Sequence, residues 1–318
     1  MHLGPVPDGT CDALIIGEAL VDLISTAPAA SLSEAQTFSR YAGGSPANIA
    51  NTLARLGKRV ALGAKVGTDA FGRFLTACLR EAGVETAYLR MDPWVHTSLV
   101  FVTRTAGTPD FDVFREADYH LTAEDIPLEA AEQARLLHAS SWPLSREPAR
   151  SLVEALFARA HAAGKWISLD PNYSPKVWPN PAEAQAVIRH FMRYVTLTKP
   201  SLDDAARLLG PDLAPEAYLE QFHAMGPRLV VLTMGAKGMW LSAEGTRLFL
   251  PAQPVEVVDA TGAGDAFWAG FLTALLDGQS LELSLHFARE VVGLKLRTLG
   301  PFATALDKEA LYRQAQSA

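Results

Sequence analysis

Basic charge is in short supply along this chain: 28 lysines and arginines face 35 aspartates and glutamates, a net charge of −7. General binding to nucleic acid or to an anionic membrane surface calls for the opposite balance. Local charge can still serve a small anion such as a nucleotide. Cysteine is almost absent. Cys11 and Cys78 make no disulfide framework and fit no metal-ligand spacing, so a reducing cytoplasm is the expected setting. No uninterrupted apolar run is long enough to span a bilayer, and Met1 to Thr10 has no apolar signal core. Internal repeats and low-complexity linkers are also missing. What is present is 318 residues of 49% hydrophobic content, enough for one large α/β domain with room for a small appended unit.

The most informative stretch is Val258-Asp-Ala-Thr-Gly-Ala-Gly-Asp-Ala-Phe-Trp-Ala-Gly-Phe271. Gly262, Ala263 and Gly264 follow Thr261, and an apolar run from Ala266 to Leu276 ends at Asp277-Gly278, a helix C-terminus with its usual glycine. The glycines therefore fall at the first helical turn, where backbone N–H groups lack partners and the dipole is positive. Such a turn can hold a phosphate or a developing anion. Asp265 lies at the same place, where a carboxylate could take the proton from a hydroxyl that attacks phosphorus. An ordinary glycine-rich turn with an aspartate as dipole partner accounts for the same residues.

A second stretch has the same form. In Tyr41-Ala-Gly-Gly-Ser-Pro-Ala-Asn-Ile-Ala-Asn-Thr-Leu-Ala-Arg-Leu-Gly57 two glycines feed a helix. Ser45 is the expected N-cap, Pro46 the first helical residue and Gly57 the end. Asn48, on the first turn, either exchanges hydrogen bonds with a ligand hydroxyl or supports the cap. This Gly-Gly-x-x-x-Asn, followed late in the chain by Asp-x-x-Gly-x-Gly-Asp, resembles the PfkB-type, ribokinase-like carbohydrate kinases from about Leu14 to about Leu299. The resemblance implies a central, mostly parallel sheet flanked by helices, with a small β-sheet lid.

Taken in order, Ala13 to Gly17 is the expected first buried strand, and Glu18 and Asp22 lie just past its end, where open α/β sheets bind ligands. By resemblance Asp22 matches the acidic residue that holds sugar hydroxyls; two carboxylate oxygens can accept from neighbouring hydroxyls. Glu18 is left open. Val60 to Val66 and the helix capped by Asp69 continue a βαβ rhythm. The rhythm breaks at Thr97–Arg104 and Phe111–Arg115, a hairpin flanking Ala-Gly-Thr-Pro-Asp110. With part of Glu18 to Arg40 it would form a lid, residues 18–40 and 96–116, on a single domain of residues 1–318. In the resembled family such a lid covers the sugar and often forms a dimer contact. Arg104 and Arg115 are candidate substrate contacts or exposed strand charges.

Asp-Pro-Asn after strand Trp166–Asp170, together with Trp178, resembles the fructokinase and 2-keto-3-deoxygluconate kinase branches. Those usually carry arginine where this chain has Ser174. In the keto-acid kinases that arginine helps bind the substrate carboxylate, so serine points to a neutral sugar. Lys199 and Ser201-x-x-Asp204 stand where the family has a magnesium- and phosphate-linked Asn-x-x-Glu; a helix cap with an acidic first turn explains Ser201 and Asp204 equally. Thr233, Gly235 and Gly238 match the family's nucleotide-phosphate turn. This is no Walker A loop, because Lys237 is followed by glycine. Asp259 and Thr261 match residues whose oxygens hold a monovalent cation such as potassium in relatives. The reading is a cytoplasmic kinase that uses ATP and magnesium on a small sugar, with fructose first and 2-keto-3-deoxygluconate as rival. A non-catalytic sugar-binding regulator is the alternative from another class. It has no need of Asp265.

Overall fold

The computed structural model describes residues 2–104 and 110–317. Its strands are β1 (Cys11–Ile16), β2 (Leu20–Pro28), β3 (Phe38–Gly43), β4 (Val60–Gly67), β5 (Leu89–Asp92), β6 (Leu99–Arg104), β7 (Phe111–Phe114), β8 (Ala134–Ser140), β9 (Trp166–Asp170), β10 (Leu197–Thr198), β11 (Leu229–Thr233), β12 (Met239–Ala243) and β13 (Thr246–Leu250). Nine of them form one sheet in the order β13-β12-β11-β10-β9-β8-β1-β4-β5. From β11 to β5 every neighbouring pair is parallel, while β12 and β13 extend the edge antiparallel. The chain leaves β1 at the centre and places β4 on one side and β8 on the other. That reversal opens a crevice at the strands' carboxyl ends.

β1 shows why both faces are covered. Its side chains alternate, so Ala13 and Ile15 join one apolar layer while Leu14 and Ile16 join the other. A strand buried on both faces reads as a continuous apolar run, as this one does. The helix Ala263–Leu276 is buried at every residue from Ala266 onward, as expected for a helix apolar all round. It packs against the helices Leu281–Leu296 and Ser45–Arg55.

The remaining strands form a separate four-stranded sheet, β3-β2-β6-β7. The β6–β7 pair is antiparallel, as the hairpin reading expects, but of the expected turn, 106–110, only Asp110 is among the described residues. β2 and β6 are parallel, so this sheet is mixed. The segment from Leu20 to Gly43 supplies the strands β2 and β3, which pair from Leu20–Gly43 to Ser25–Phe38. Among the described residues no helix is long and apolar enough to cross a membrane.

Candidate active site

The helix Ser45–Arg55 begins one residue earlier than the sequence suggests. Gly44, at φ 96°, is the N-cap, and Ser45 is already helical. No side chain with a Cβ fits there, because it would collide with the Glu18 carbonyl. Ser45 is thereby released from capping, and its hydroxyl donates to Asp265 Oδ1 at 2.7 Å. Asn48 Nδ2, one turn along, donates to Asp265 Oδ2 at 2.9 Å. The two glycine-led helices, more than two hundred residues apart in sequence, thus meet through one carboxylate.

Asp265 sits in the first turn of the helix Ala263–Leu276, whose N-cap Gly262 is left-handed at φ 70°. The Ala263 amide closes the turn onto the Ala260 carbonyl at 3.1 Å, while the Gly262 and Gly264 amides stand at the helix start beside a half-buried carboxylate. Burial raises the Asp265 pKa, against the lowering pull of Ser45, Asn48, Lys199 and Lys295. The result is a carboxylate more basic than usual but fixed in direction.

Asp22 lies near it, in a narrow cleft that Tyr41, Asn48, Thr261 and Gly262 also line. Burial, then the charges of Asp265 and Asp259, push the Asp22 carboxyl up to about 7. Gly43 backs it so closely that a Cβ would overlap the carboxylate. Glu18 is fully buried, accepts from Ser140 Oγ at 2.9 Å, and is pushed to about 8, chiefly by burial. It stands behind Gly44 rather than on solvent.

On the other side of the turn, Lys199 Nζ pairs with Asp170 Oδ2 at 2.8 Å in a buried ion pair. Burial works against the Lys199 charge, but Asp170, Asp204 and Asp265 outweigh it, and the pKa is raised. A Cβ on Gly264 would stand 3.4 Å from this ammonium, so Lys199 lies directly under the glycine turn. Ser201 and Asp204 form a full capping box. Asp204 also accepts from Tyr173 N at 2.7 Å. Its oxygens serve the helix start and the Asp170–Tyr173 turn, so the helix-cap reading of this pair is the one the geometry carries. Thr233 closes β11 against Pro200, and Gly235 and Gly238 shape the turn into β12. That turn and Lys199 lie side by side through the Ser201–Thr233 bridge.

Two expected substrate contacts stand apart from the cleft. Arg115 is buried and committed to Asp118, Ser145 Oγ and the Trp142 carbonyl, so no free fork remains for a ligand. Arg104 lies on β6 four residues beyond Val100, the residue opposite Asp22, roughly 13 Å along the strand. Ser174 is buried, and its hydroxyl accepts from Lys176 N at 3.3 Å.

Asp259 Oδ1 accepts from Thr261 N at 2.9 Å, and Oδ2 from Gly300 N at 3.1 Å. Of the oxygens expected to hold a monovalent cation, Asp259 Oδ2 is already met by an ammonium, Lys295 Nζ, at 3.3 Å. For magnesium the donor set is different in kind. Among the described residues no three acidic, histidine or cysteine side chains gather to cage a metal. A nucleotide-borne magnesium needs only one or two carboxylates beside phosphate and water oxygens, and Asp170, Asp204 and Asp265 all stand around Lys199 beneath the glycine turn. Sequence reading passed over Asp170, Lys295 and the role of Ser45. The Asp-Pro-Asn motif could have pointed to Asp170, but Lys295 is an unremarked lysine inside an amphipathic helix.

The family model described as pfkB family carbohydrate kinase matches residues 12–307. Among curated relatives, an ATP-dependent 6-phosphofructokinase of Thermoanaerobacterium thermosaccharolyticum is 38% identical over 96% of this chain and 94% of its own length. Fructokinase-1 of Oryza sativa subsp. japonica is 34% identical over 86% of this chain and 87% of its own. Among solved structures, a fructokinase double mutant from Vibrio cholerae O395, in a form with fructose, ADP and potassium ion bound, superposes with a TM-score of 0.86. It is 30% identical, covering 97% of this chain and 99% of that one.

Proposed function

The chain belongs to the pfkB family of carbohydrate kinases, and from that premise we propose that this ATP-dependent sugar kinase phosphorylates a neutral ketose, fructose. The observation that carries the reading is Asp265. It is held by Ser45 and Asn48, and Asn48 in turn lines a cleft together with Asp22 and Gly262. Asp22 and Asn48 hold the sugar by its hydroxyls, with the Gly43-Gly44 backbone close by. The attacking hydroxyl gives its proton to Asp265 as its oxygen bonds to the γ-phosphorus. The bond from that phosphorus to the bridging oxygen breaks, and ADP leaves. Amides of Gly262 and Gly264 face the charge on the transferred group, and Lys199 sits below them. Thr233, Gly235 and Gly238 line the nucleotide side. Positioning and preorganised charge supply most of the acceleration. Magnesium, when bound, would neutralise phosphate charge, and Asp204, Asp170 and Asp265 are the carboxylates that would help to hold it.

Fructose is favoured over a keto-acid by what the pocket lacks. A partly buried carboxylate calls for a bidentate guanidinium. Ser174 cannot supply one, and Arg115 is held by Asp118. A second reading, fructose 6-phosphate, rests on the 38% identical 6-phosphofructokinase. The test offers fructose, fructose 6-phosphate and 2-keto-3-deoxygluconate at equal concentration with ATP, the products resolved by mass. The highest kcat/KM is expected for fructose. A higher value for either anionic acceptor overturns this choice.

The whole chain, residues 1–318, acts in this proposal as one domain. Residues 18–40 and 96–116 form its lid, which excludes water from the phosphoryl group. Phe114, 60% exposed on the edge strand β7, supports a homodimer formed through the lid. Free thiols at Cys11 and Cys78 and a need for ATP support a cytoplasmic setting.

A further inference from the structure

We infer that the ammonium of Lys295 occupies the place of a monovalent cation beside the anion-binding turn, so that the enzyme works without potassium. The inference rests on the kinase reading above, because it concerns the turn that faces the transferred phosphoryl group.

Lys295 lies in the last turn of the helix Leu281–Leu296 and is 4% exposed. An ammonium so buried must be met by acceptors. It has two: Asp259 Oδ2 at 3.3 Å and the Thr298 carbonyl at 3.2 Å. A carboxylate and a peptide carbonyl, converging on one point at a loop, are the hard oxygen donors that an alkali cation also takes. Potassium and an ammonium group have similar size and the same charge. An added potassium ion at this point would face the Lys295 charge at short range in a partly buried site and would compete for the same oxygens.

The position has consequences for the reaction. Asp259, held by Lys295 on one oxygen, accepts from Thr261 N on the other and so sets the bend that leads into Gly262. The same bend hangs on the helix end, since Val258 N and Asp259 N both donate to the Leu296 carbonyl. Lys295 also draws on Asp265 electrostatically and lines the cleft shared with Asp22 and Thr261. One fixed positive charge thus orders the loop whose amides meet the phosphoryl group, and it counters the C-terminal dipole of its own helix. A tethered cation, unlike a bound one, is present at every salt composition. Lys295 is a positioning residue and acts through Asp259 and the turn.

The obvious alternative is an ion pair that only ties the helix end to the loop. Salt replacement separates the two. Fructose-dependent ADP release by the wild-type enzyme is measured in potassium chloride and in choline chloride at equal ionic strength. So is the thermal midpoint in each salt, with and without ADP. Both readouts are expected to be the same in the two salts. In Lys295→Ala the carboxylate and carbonyl are left facing a space. Turnover in choline is expected to fall ~10–100-fold, the scale seen when groups that orient a charged centre are removed. Potassium or methylammonium should restore much of it, and potassium should raise the midpoint of the ADP complex. Lys295→Met, which keeps the stem and its packing, covers the case in which the alanine variant does not fold; it should lose turnover in choline by a similar factor.

Potassium activation of the wild-type enzyme would overturn the inference. So would folded variants that lose nothing in choline, or an alanine variant that potassium neither stabilises nor rescues. If the wild-type enzyme turned over none of the acceptors offered, the fructose assignment would fail. The thermal-midpoint comparison would still decide the question of the cation.

Discussion

At Asp22 the useful state of the residue is the one that its surroundings resist. Burial and the neighbouring charges of Asp265 and Asp259 move its titration to about 7, while two sugar hydroxyls need the ionised form as acceptor. Sugar binding therefore competes with protonation, and affinity should rise as pH increases through about 7. Between about pH 6 and about pH 8 the fructose Kd from calorimetry is expected to fall severalfold, with Asp22→Asn weaker and flat with pH. A flat wild-type profile would remove Asp22 from sugar recognition. In the sugar-free enzyme the sign is opposite. A raised folded pKa contributes stability present below the unfolded value of about 3.9 and lost as pH rises through about 7. Sugar should thus stabilise the enzyme most above neutrality. ATP affinity should not follow this titration, since the proposed nucleotide side is Lys199, Thr233, Gly235 and Gly238.

Among the elements, the start of the helix Ser45–Arg55 shows what local sequence can and cannot convey. Ser-Pro after two glycines marks the helix start, and the helix forms there. Which residue caps it depends on Glu18, whose carbonyl crowds Gly44 from another segment. Ser201 and Asp204 were readable as a capping box because both partners lie within one turn. At β3 the chain's closest approach is Gly43 against Asp22. Gly43→Ala should displace the carboxylate and weaken fructose binding about tenfold or more, while circular dichroism and ATP affinity stay near wild type. Unchanged fructose affinity in a folded Gly43→Ala enzyme would show that Asp22 need not sit where it does. The β6–β7 hairpin and the share of residues 18–40 in its sheet were legible, but the separate strands β2 and β3 were not, because that stretch lacks a clear period-two pattern.

Across the whole molecule, the contacts that make the site join distant segments, and that is why they escape sequence reading. Apolar periodicity reports the parallel sheet and its helices, and the glycine motifs report Asp265 and its turn. Nothing local says that Ser45 meets Asp265, that Lys199 meets Asp170, or that Lys295 meets Asp259. A similar long-range knot ties the C-terminal helix Lys308–Ser317 to the body. Asp277 accepts from Lys58, Lys308 and Tyr312 Oη, and Lys58 is buried. Asp277→Ala leaves that ammonium without its partner and should destabilise the fold by about 3 kcal/mol, read as a lower urea midpoint. An unchanged midpoint would mean that the C-terminal helix is held by its apolar face alone.

The central claim is that Asp265 is the base of a sugar kinase, and ADP release with saturating fructose and ATP tests it most directly. Wild-type enzyme and Asp265→Asn are compared, with ATP binding measured on both by calorimetry. The variant keeps the helix, the turn amides and an isosteric side chain. Turnover is therefore expected to drop ~100- to 10,000-fold, while ATP affinity changes little. Near-native turnover in Asp265→Asn would contradict the account.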